Sequence, residues 1–248
     1  MQLLVVGAGE MGRWFARQSG ADAVAFADRD PAAAREATSD LEDSTATDAR
    51  VVDLDTDETF DAVCLAVPMS ATPAAIETHA DRASEAVVDV AGEMRDAVAA
   101  LRTHAEGLER ASFHPLFSAS NAPGNVPVVV DRAGPTVDRL RAALEAAGNE
   151  VFETTPAAHD RAMETVQAKA HTAILAYALA AEEVDPRFHT SLSGPLSELV
   201  EGTLDNTPEV YAEIQERFEG ASSVAEAAAE IADADHEAFV DLYGGAGE

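Results

Sequence analysis

The stretch LLVVGAGEMGRWFA, residues 3–16, joins a short apolar run to a glycine-rich turn and the start of a helix-like segment. The turn, GAGEMG at residues 7–12, fits the spacing GxGxxG. In a strand–turn–helix unit of this kind, the glycines allow a tight turn, close approach of the backbone to a pyrophosphate, and close packing of the helix on the strand. The N-terminal amides of the helix provide an anion site. The stretch therefore predicts a Rossmann-type unit that binds a dinucleotide.

The predicted cofactor site extends beyond the glycines. Asp28 ends the next strand-like run, where the fingerprint places an acidic residue that binds the adenosine ribose. This carboxylate favours NAD, because the 2′-phosphate of NADP would face a negative charge. Arg29 keeps NADP open as an alternative, since a guanidinium binds phosphate well. In chain order the predicted cofactor residues are Gly7, Gly9, Glu10, Met11, Gly12, Asp28, Arg29, Val67 and Pro68.

Strand-like and helix-like segments alternate through the first part of the chain. Apolar runs such as AVCLAVP, residues 62–68, are separated by amphipathic segments of helical period. This alternation is typical of βαβ units and predicts an α/β domain with a mostly parallel sheet. After Pro156, helix-like segments follow one another without a convincing strand. The sequence thus predicts a Rossmann domain at residues 1–155 and an all-helical domain at residues 156–248.

The net charge of −30 is the most unusual feature of the composition, and it is spread over both predicted domains. Lys169 is the single lysine of the chain. An evenly acidic surface poor in lysine indicates a protein adapted to a salt-rich cytoplasm, where high ionic strength screens the self-repulsion. The same charge argues against nucleic acid as a partner, because nucleic acid binding requires basic patches.

Two further observations bear on the cell compartment. Cys64 is the single cysteine, so a disulfide framework is excluded. No apolar run approaches the roughly 20 residues that a membrane span needs. We therefore expect a cytoplasmic protein that does not enter a membrane.

His114 stands out within ASFHPLFSAS, residues 111–120. It ends a predicted strand at the carboxyl edge of the sheet, where open α/β folds bind their ligands. A dinucleotide-dependent oxidoreductase needs a proton acceptor beside the carbon that loses hydride, and a histidine serves this purpose. From its spacing alone, His114 is either this proton acceptor or a packed structural histidine.

A second group of polar residues follows at steps of four in the helical half, namely His159, Met163, Gln167 and His171. Such spacing aligns side chains along one face of a helix. The stripe either lines a pocket or makes ordinary polar contacts between helices. The spacing of the two histidines does not match a metal site, and we predict no bound metal.

Five segments together give the chain a resemblance to the prephenate/arogenate dehydrogenase family, in particular its archaeal members. They are VVGAGEMGRWFA at 5–16, LAVP at 65–68, FHPLF at 113–117, HDRAMETVQAKAH at 159–171 and NTPEVYAEIQ at 206–215. The resemblance implies a Rossmann domain followed by a helical domain through which two copies form a homodimer.

The resemblance also implies a reaction. Prephenate is oxidised at its ring carbinol and loses carbon dioxide, with the hydride passing to the nicotinamide, which yields 4-hydroxyphenylpyruvate for tyrosine biosynthesis. The residue that matches the family's proton acceptor is His114. The segments that surround the family's substrate imply Gly92, His159, Gln167 and His171 as substrate-binding residues.

The chain departs from the family pattern at two places. Many members carry a serine that helps to hold the catalytic histidine, and the matching position here is Gly92. A late arginine that binds a substrate carboxylate in better-studied members has no clear equivalent, and Arg161, Lys169 and Arg187 are the basic candidates. Two alternatives therefore stay open: a related dehydrogenase acting on arogenate or another small acid, and a dinucleotide-sensing regulatory protein without catalysis.

Overall fold

The computed structural model describes residues 1–246, and the chain divides into two compact units. The first unit is Met1–Asp160, and the second begins at Arg161. The sequence predicted a division after residue 155, but the contacts group the next five residues, 156–160, with the first unit. Residues 247 and 248, which the prediction included in the helical domain, lie outside the described residues.

The first unit contains an eight-stranded sheet with the strand order β3-β2-β1-β4-β5-β6-β7-β8. The strands are β1 (Gln2–Val6), β2 (Ala23–Ala27), β3 (Asp48–Val51), β4 (Phe60–Leu65), β5 (Ala83–Asp89), β6 (Glu109–Phe113), β7 (Asn125–Arg132) and β8 (Glu150–Glu153). All neighbours pair in parallel except β6 and β7, which are antiparallel. The predicted mostly parallel α/β sheet is confirmed.

Helices cover both faces of this sheet. They are α1 (Glu10–Gln18), α2 (Pro31–Ser44), α3 (Thr72–His79), α4 (Arg95–His104), α5 (Pro135–Ala146) and α6 (Pro156–Met163), the last of which continues into the second unit. Apolar side chains of α1, α2 and α5 form one buried cluster with the sheet, and those of α3 and α4 form another on a second set of strand residues. Two apolar layers on one sheet explain why the strands are apolar at successive positions.

The second unit is helical throughout the part that the structure describes. Its elements are a π-helical segment (Glu164–Lys169), α7 (Ala170–Ala180), α8 (Ser193–Leu204), α9 (Pro208–Arg217), α10 (Ala221–Asp233) and α11 (His236–Gly245). The π-helical segment separates α6 from α7. The carbonyl of Ala168 there accepts hydrogen bonds from Thr172 Oγ1 (2.8 Å) and Gln215 Nε2 (3.0 Å), which local periodicity does not reveal.

No helix of residues 1–246 is both long and apolar enough to cross a membrane.

Candidate functional site

The glycine turn connects β1 to α1 and lies beside the end of β4. Gly7 has a φ of 101°, and a Cβ at this residue would lie 2.2 Å from the carbonyl oxygen of Ala66. A Cβ at Gly12 would lie 2.0 Å from the oxygen of Gly7, so the helix starts in tight contact with the turn. A Cβ at Gly9 would meet no atom within 4 Å. Gly9 therefore borders open space at a helix N-terminus, which fits the pyrophosphate of a dinucleotide.

The acidic residue predicted to bind the ribose lies next to this turn. Asp28 follows β2 directly, and its Oδ2 accepts a hydrogen bond of 2.7 Å from the backbone N–H of Ala8. Its Oδ1 accepts a hydrogen bond of 2.8 Å from the N–H of Asp30. These bonds fix the carboxylate at the edge of the turn, while Arg29 is exposed beside it.

Val67 and Pro68 also reach this edge of the sheet. They follow β4, which pairs with β1, and Val67 Cγ1 would lie 3.3 Å from a Cβ at Gly7. The chain runs from β1 outward to β3 and then returns to place β4 on the other side of β1, so the strand order reverses between β1 and β4. Open α/β sheets bind their ligands at such switch points. The structure thus brings the glycines, Asp28, Val67 and Pro68 to one place.

Glu10, which places a negative charge in the anion-binding turn, has a structural partner. Its Oε1 accepts a hydrogen bond of 2.5 Å from the backbone N–H of Ala119. One helical turn later, Trp14 packs edge-on against Phe117, with ring centroids 5.3 Å apart. Both contacts tie α1 to the segment that follows His114.

His114 comes immediately after β6, at the carboxyl edge that the sequence predicted. Its backbone N–H donates a hydrogen bond of 3.0 Å to the carbonyl of Pro127, and only 6% of the residue is exposed. Its Nδ1 lies 2.8 Å from Nε2 of His159. His159 Nδ1 in turn lies 2.8 Å from Oδ1 of Asp160. Two histidines and a carboxylate therefore form a continuous chain of hydrogen bonds.

Asp160 was not among the predicted site residues, although it adjoins His159 in the sequence. It links α6 to the start of α4, because its carboxylate accepts hydrogen bonds from the backbone N–H groups of Met94 (3.1 Å) and Arg95 (3.3 Å). The Nε of Arg95 lies 3.5 Å from Asp160 Oδ2. Helix N-termini stabilise negative charge, so this position holds the carboxylate in its ionised form.

Burial and neighbouring charges set the protonation of these groups. Burial and the neighbouring His159 lower the pKa of His114, Asp160 acts in the opposite direction, and the resulting pKa is about 3. Burial raises the pKa of Asp160, but hydrogen bonds from His159 and the N–H of Met94 outweigh it, and the net pKa lies below its usual range. His114 is therefore neutral and Asp160 charged at neutral pH.

The Nε2 side of His114 faces Gly92. A Cβ at Gly92 would lie 3.5 Å from His114 Nε2 and 2.8 Å from Sδ of Met69. The space of the serine expected from the family pattern is thus filled by a thioether, and His114 is held through Nδ1 instead.

Asp89 is a second buried carboxyl that the sequence did not single out. It ends β5, and its Oδ1 accepts hydrogen bonds from Ser112 Oγ (2.9 Å) and the N–H of Ala91 (3.0 Å). Its Oδ2 is buried without a hydrogen-bond partner among the described residues. Burial raises the pKa of Asp89 to about 7, although both hydrogen bonds lower it.

Gln167 and His171 lie in the helical unit. Gln167 belongs to the π-helical segment, and the ring of His171 packs edge-on against Tyr211 at 4.7 Å between centroids. Burial lowers the pKa of His171. Arg187, one of the three basic candidates for binding a substrate carboxylate, is paired with Asp185. Its Nη2 lies 2.5 Å from Asp185 Oδ2, and its Nε lies 3.0 Å from both carboxylate oxygens.

Within residues 1–246, no three His, Cys, Asp or Glu side chains lie close enough together to hold a metal ion.

Comparison with known proteins gives both a sequence relative and structural neighbours. No protein-family model matches the chain. A curated relative, 4-amino-4-deoxyprephenate dehydrogenase of Streptomyces pristinaespiralis, is 30% identical over 181 residues, which cover 67% of this chain. The chain spans 60% of the length of that relative. The relative's name confirms the predicted resemblance to dehydrogenases of the prephenate type.

The solved structures with similar folds carry related names. Prephenate dehydrogenase of Aquifex aeolicus, in complex with hydroxyphenyl propionate and NAD+, has a TM-score of 0.69 at 19% identity. The superposed residues cover 91% of this chain and 86% of the Aquifex chain. Arogenate dehydrogenase of Synechocystis has a TM-score of 0.62 at 19% identity and covers 98% and 96%. At such identities the likeness shows the fold, and it confirms a Rossmann unit followed by a helical one.

Proposed function

We propose that the chain is a member of the prephenate dehydrogenase family and catalyses the NAD-dependent oxidative decarboxylation of prephenate to 4-hydroxyphenylpyruvate in tyrosine biosynthesis. The observation that carries this proposal is the neutral, buried His114 at the carboxyl edge of a sheet whose glycine turn fits a dinucleotide. The curated relative named 4-amino-4-deoxyprephenate dehydrogenase supports the substrate class.

The cofactor is assigned from the turn and its neighbours. Gly7, Gly9 and Gly12, together with Glu10 and Met11 at the start of α1, form the pyrophosphate site. Asp28 binds the adenosine ribose, which favours NAD, while Arg29 beside it is the one feature in favour of NADP. Val67 and Pro68 border the crevice from β4. When bound, the nicotinamide accepts the hydride from the substrate.

His114 serves as the proton acceptor. Its neutral ring takes the proton of the substrate hydroxyl at Nε2 as the ring carbon loses hydride. Loss of carbon dioxide then completes an aromatic ring, whose phenolate oxygen takes the proton back. Gly92 lies beside Nε2 and stays our candidate for contact with the substrate through its backbone, since the thioether of Met69 occupies the place of a side chain there. Gln167 and His171 remain our candidates for substrate-binding residues.

A dianionic substrate also needs cations, because buried carboxylates without partners are costly. Arg95 is a candidate that the sequence did not suggest. It begins α4, about half of its side chain is exposed, and its Nε lies 3.5 Å from Asp160 Oδ2. Arg161 and Lys169 remain the other candidates.

A second substrate has specific support. The curated relative is named for 4-amino-4-deoxyprephenate, which differs from prephenate at the ring position that His114 would face. Arogenate stands as a third candidate, since one structural neighbour is named for it.

The assembly is proposed as a homodimer formed through the helical unit. Large apolar side chains are exposed there, among them Leu179 and Leu192, both more than 80% exposed. A second copy would cover them, as symmetric dimers commonly do. Leu179→Glu with Leu192→Glu should convert a dimer to a monomer in sedimentation, whereas a monomeric native protein at all concentrations would refute the dimer.

The decisive assay follows NADH formation when the protein is mixed with NAD and each candidate acid in molar salt. Prephenate should give the fastest turnover, and NAD should exceed NADP. His114→Asn should lower turnover about 10²–10⁴-fold and leave NAD affinity unchanged. Tight NAD binding without turnover on any of the three acids would refute the proposal and favour a dinucleotide-sensing regulatory protein.

A further inference from the structure

We propose that His159, held by Asp160, receives the proton that His114 takes from the substrate, so that the three side chains act as a proton relay. The sequence suggested His159 as a substrate-binding residue, but both of its ring nitrogens are engaged within the protein and only 3% of the residue is exposed. The identity of the substrate rests on the proposed function; the relay itself is tested without a substrate below.

The hydrogen bonds fix the tautomer of each ring. A carboxylate only accepts hydrogen bonds, so the Nδ1 of His159 must carry the proton in its bond of 2.8 Å to Asp160. When His159 is neutral, its Nε2 is therefore an acceptor, and the Nδ1 of His114 must donate to it across 2.8 Å. The remaining nitrogen of His114, Nε2, then holds the lone pair. This is the nitrogen nearest to Gly92.

The same geometry decides where positive charge is most stable. A cation on His114 would stand in a buried position next to another histidine, and both features disfavour it. A cation on His159 would stand 2.8 Å from the ionised carboxylate of Asp160. Opposite charges in contact inside a protein attract far more strongly than in water. Transfer of one proton between the rings thus moves the charge to the better position.

Other charged groups near the relay keep Asp160 ionised. Glu93 is a second carboxyl beside Asp160, and its two oxygens accept hydrogen bonds from the N–H of Asp96. Arg95 Nε lies 3.5 Å from Asp160 Oδ2. The N-terminus of α4 donates two backbone N–H groups to the same carboxylate. The guanidinium of Arg95 and the N-terminus of α4 therefore offset the negative charge of Glu93 near Asp160.

Two protons move in the relay. The substrate O–H bond breaks and an N–H bond forms at Nε2 of His114. The N–H bond at Nδ1 of His114 breaks, and one forms at Nε2 of His159. His159 is then an imidazolium beside Asp160, and His114 is again neutral but with its proton on the other nitrogen. Loss of carbon dioxide leaves a phenolate, whose oxygen takes the proton back from Nε2 of His114. His159 Nε2 returns its proton to Nδ1 of His114 at the same time, so both rings regain their first state and no net proton is released.

Two substitutions separate a relay from simple support. Gln at residue 159 can accept the hydrogen bond from His114 Nδ1 but cannot take up a proton. His159→Gln should lower kcat about 10²-fold, with KM within about threefold. The dependence of kcat on the deuterium content of the solvent should indicate two protons in motion in the native protein and one in the variant. Asp160→Asn keeps the acceptor for His159 Nδ1 and removes the charge, and we expect a similar loss. His79→Gln, a substitution of another buried histidine, is the matched control and should leave kcat unchanged.

A second measurement needs neither substrate nor cofactor. Ring ¹⁵N chemical shifts of His114 and His159 in the native protein should show that both rings carry a proton at Nδ1 and that Nε2 of His114 carries none. In His159→Gln the ring of His114 should keep its proton at Nδ1, because the amide oxygen accepts the same bond. A proton at Nε2 of His114 in the native protein, or unchanged kcat in a folded His159→Gln variant, would overturn the relay. If the native protein turns over none of the acids, the proposed function fails while the ring shifts still decide the relay.

Discussion

The thioether of Met69 occupies the place of a side chain at Gly92, since a Cβ there would lie 2.8 Å from Met69 Sδ. The family pattern expects a serine at this position to support the catalytic histidine. Here His114 is supported from its opposite nitrogen, through His159 and Asp160. The exchange of serine for glycine and the two-residue support behind His114 are thus parts of one arrangement.

Gly92→Ser should destabilise the protein, because the new side chain and Met69 compete for the same space. Overpacking of a buried site costs about 1–3 kcal/mol. The free energy of unfolding, measured by denaturant titration in molar salt, should fall by this amount.

The matched double variant Gly92→Ser with Met69→Ala provides the control. A double-mutant cycle should show that removal of the thioether recovers most of the loss caused by the serine. Equal destabilisation by serine in the presence and absence of Met69 would show that the two side chains do not compete.

Asp89 should make stability depend on pH. Its pKa is about 7 in the folded protein and near 3.8 in the unfolded chain. Between these values the folded state holds a proton that the unfolded state has lost, so stability decreases as pH rises toward 7. About three pKa units correspond to about 4 kcal/mol.

Asp89→Asn, which stays neutral at every pH, isolates this contribution. The difference in unfolding free energy between Asp89→Asn and the native protein should grow in favour of the variant from pH 4 to pH 8, by up to about 4 kcal/mol. The absolute stability of the variant does not matter to the test, because only the slope of the difference with pH is compared. A flat difference would mean that Asp89 is ionised throughout.

The hydrogen bond between Glu10 and Ala119 should fasten the segment after His114 to the cofactor turn. Glu10→Gln keeps an acceptor for the Ala119 N–H and removes a negative charge from the helix N-terminus. We expect Glu10→Gln to bind NAD about 2–5-fold more tightly, because the variant removes a negative charge that opposes the pyrophosphate. A charge at a helix N-terminus changes the free energy by about 0.3–1 kcal/mol.

Glu10→Ala removes the acceptor as well as the charge. Amide hydrogen exchange of Ala119 should be faster in Glu10→Ala than in Glu10→Gln, and the native protein should match the latter. If all three exchange at the same rate, the Glu10 bond does not hold the segment.

The sequence predicts the fold well because the signals of the first unit are local. A glycine turn between an apolar run and a helix, repeated alternation, and Asp28 after the second strand each need only nearby residues. The antiparallel pairing of β6 with β7 was not predicted, since strand direction depends on which neighbour a strand meets in the sheet.

The candidate site could be predicted only in part, because its contacts join residues that are far apart in the sequence. His114 was found because it ends a strand, but its partners His159 and Asp160 are 45 and 46 residues away in sequence and meet it only after packing. The four-residue spacing placed His159 on a helix face without revealing that both ring nitrogens are buried. Asp89 was missed for the same reason, because burial rather than spacing gives it an unusual pKa.

Salt dependence is the remaining prediction, and it follows from the net charge of −30. In dilute buffer the Debye length is about 30 Å at 0.01 M, so exposed carboxylates repel one another across much of the surface, whereas at 1 M it is about 3 Å. The thermal midpoint of unfolding should therefore rise steeply from dilute buffer to molar KCl. A neutral osmolyte such as sucrose at equal osmolality is the control, because it stabilises compact states without screening charge. Equal stabilisation by sucrose, or full stability without salt, would show that repulsion between exposed carboxylates does not limit the stability of the fold.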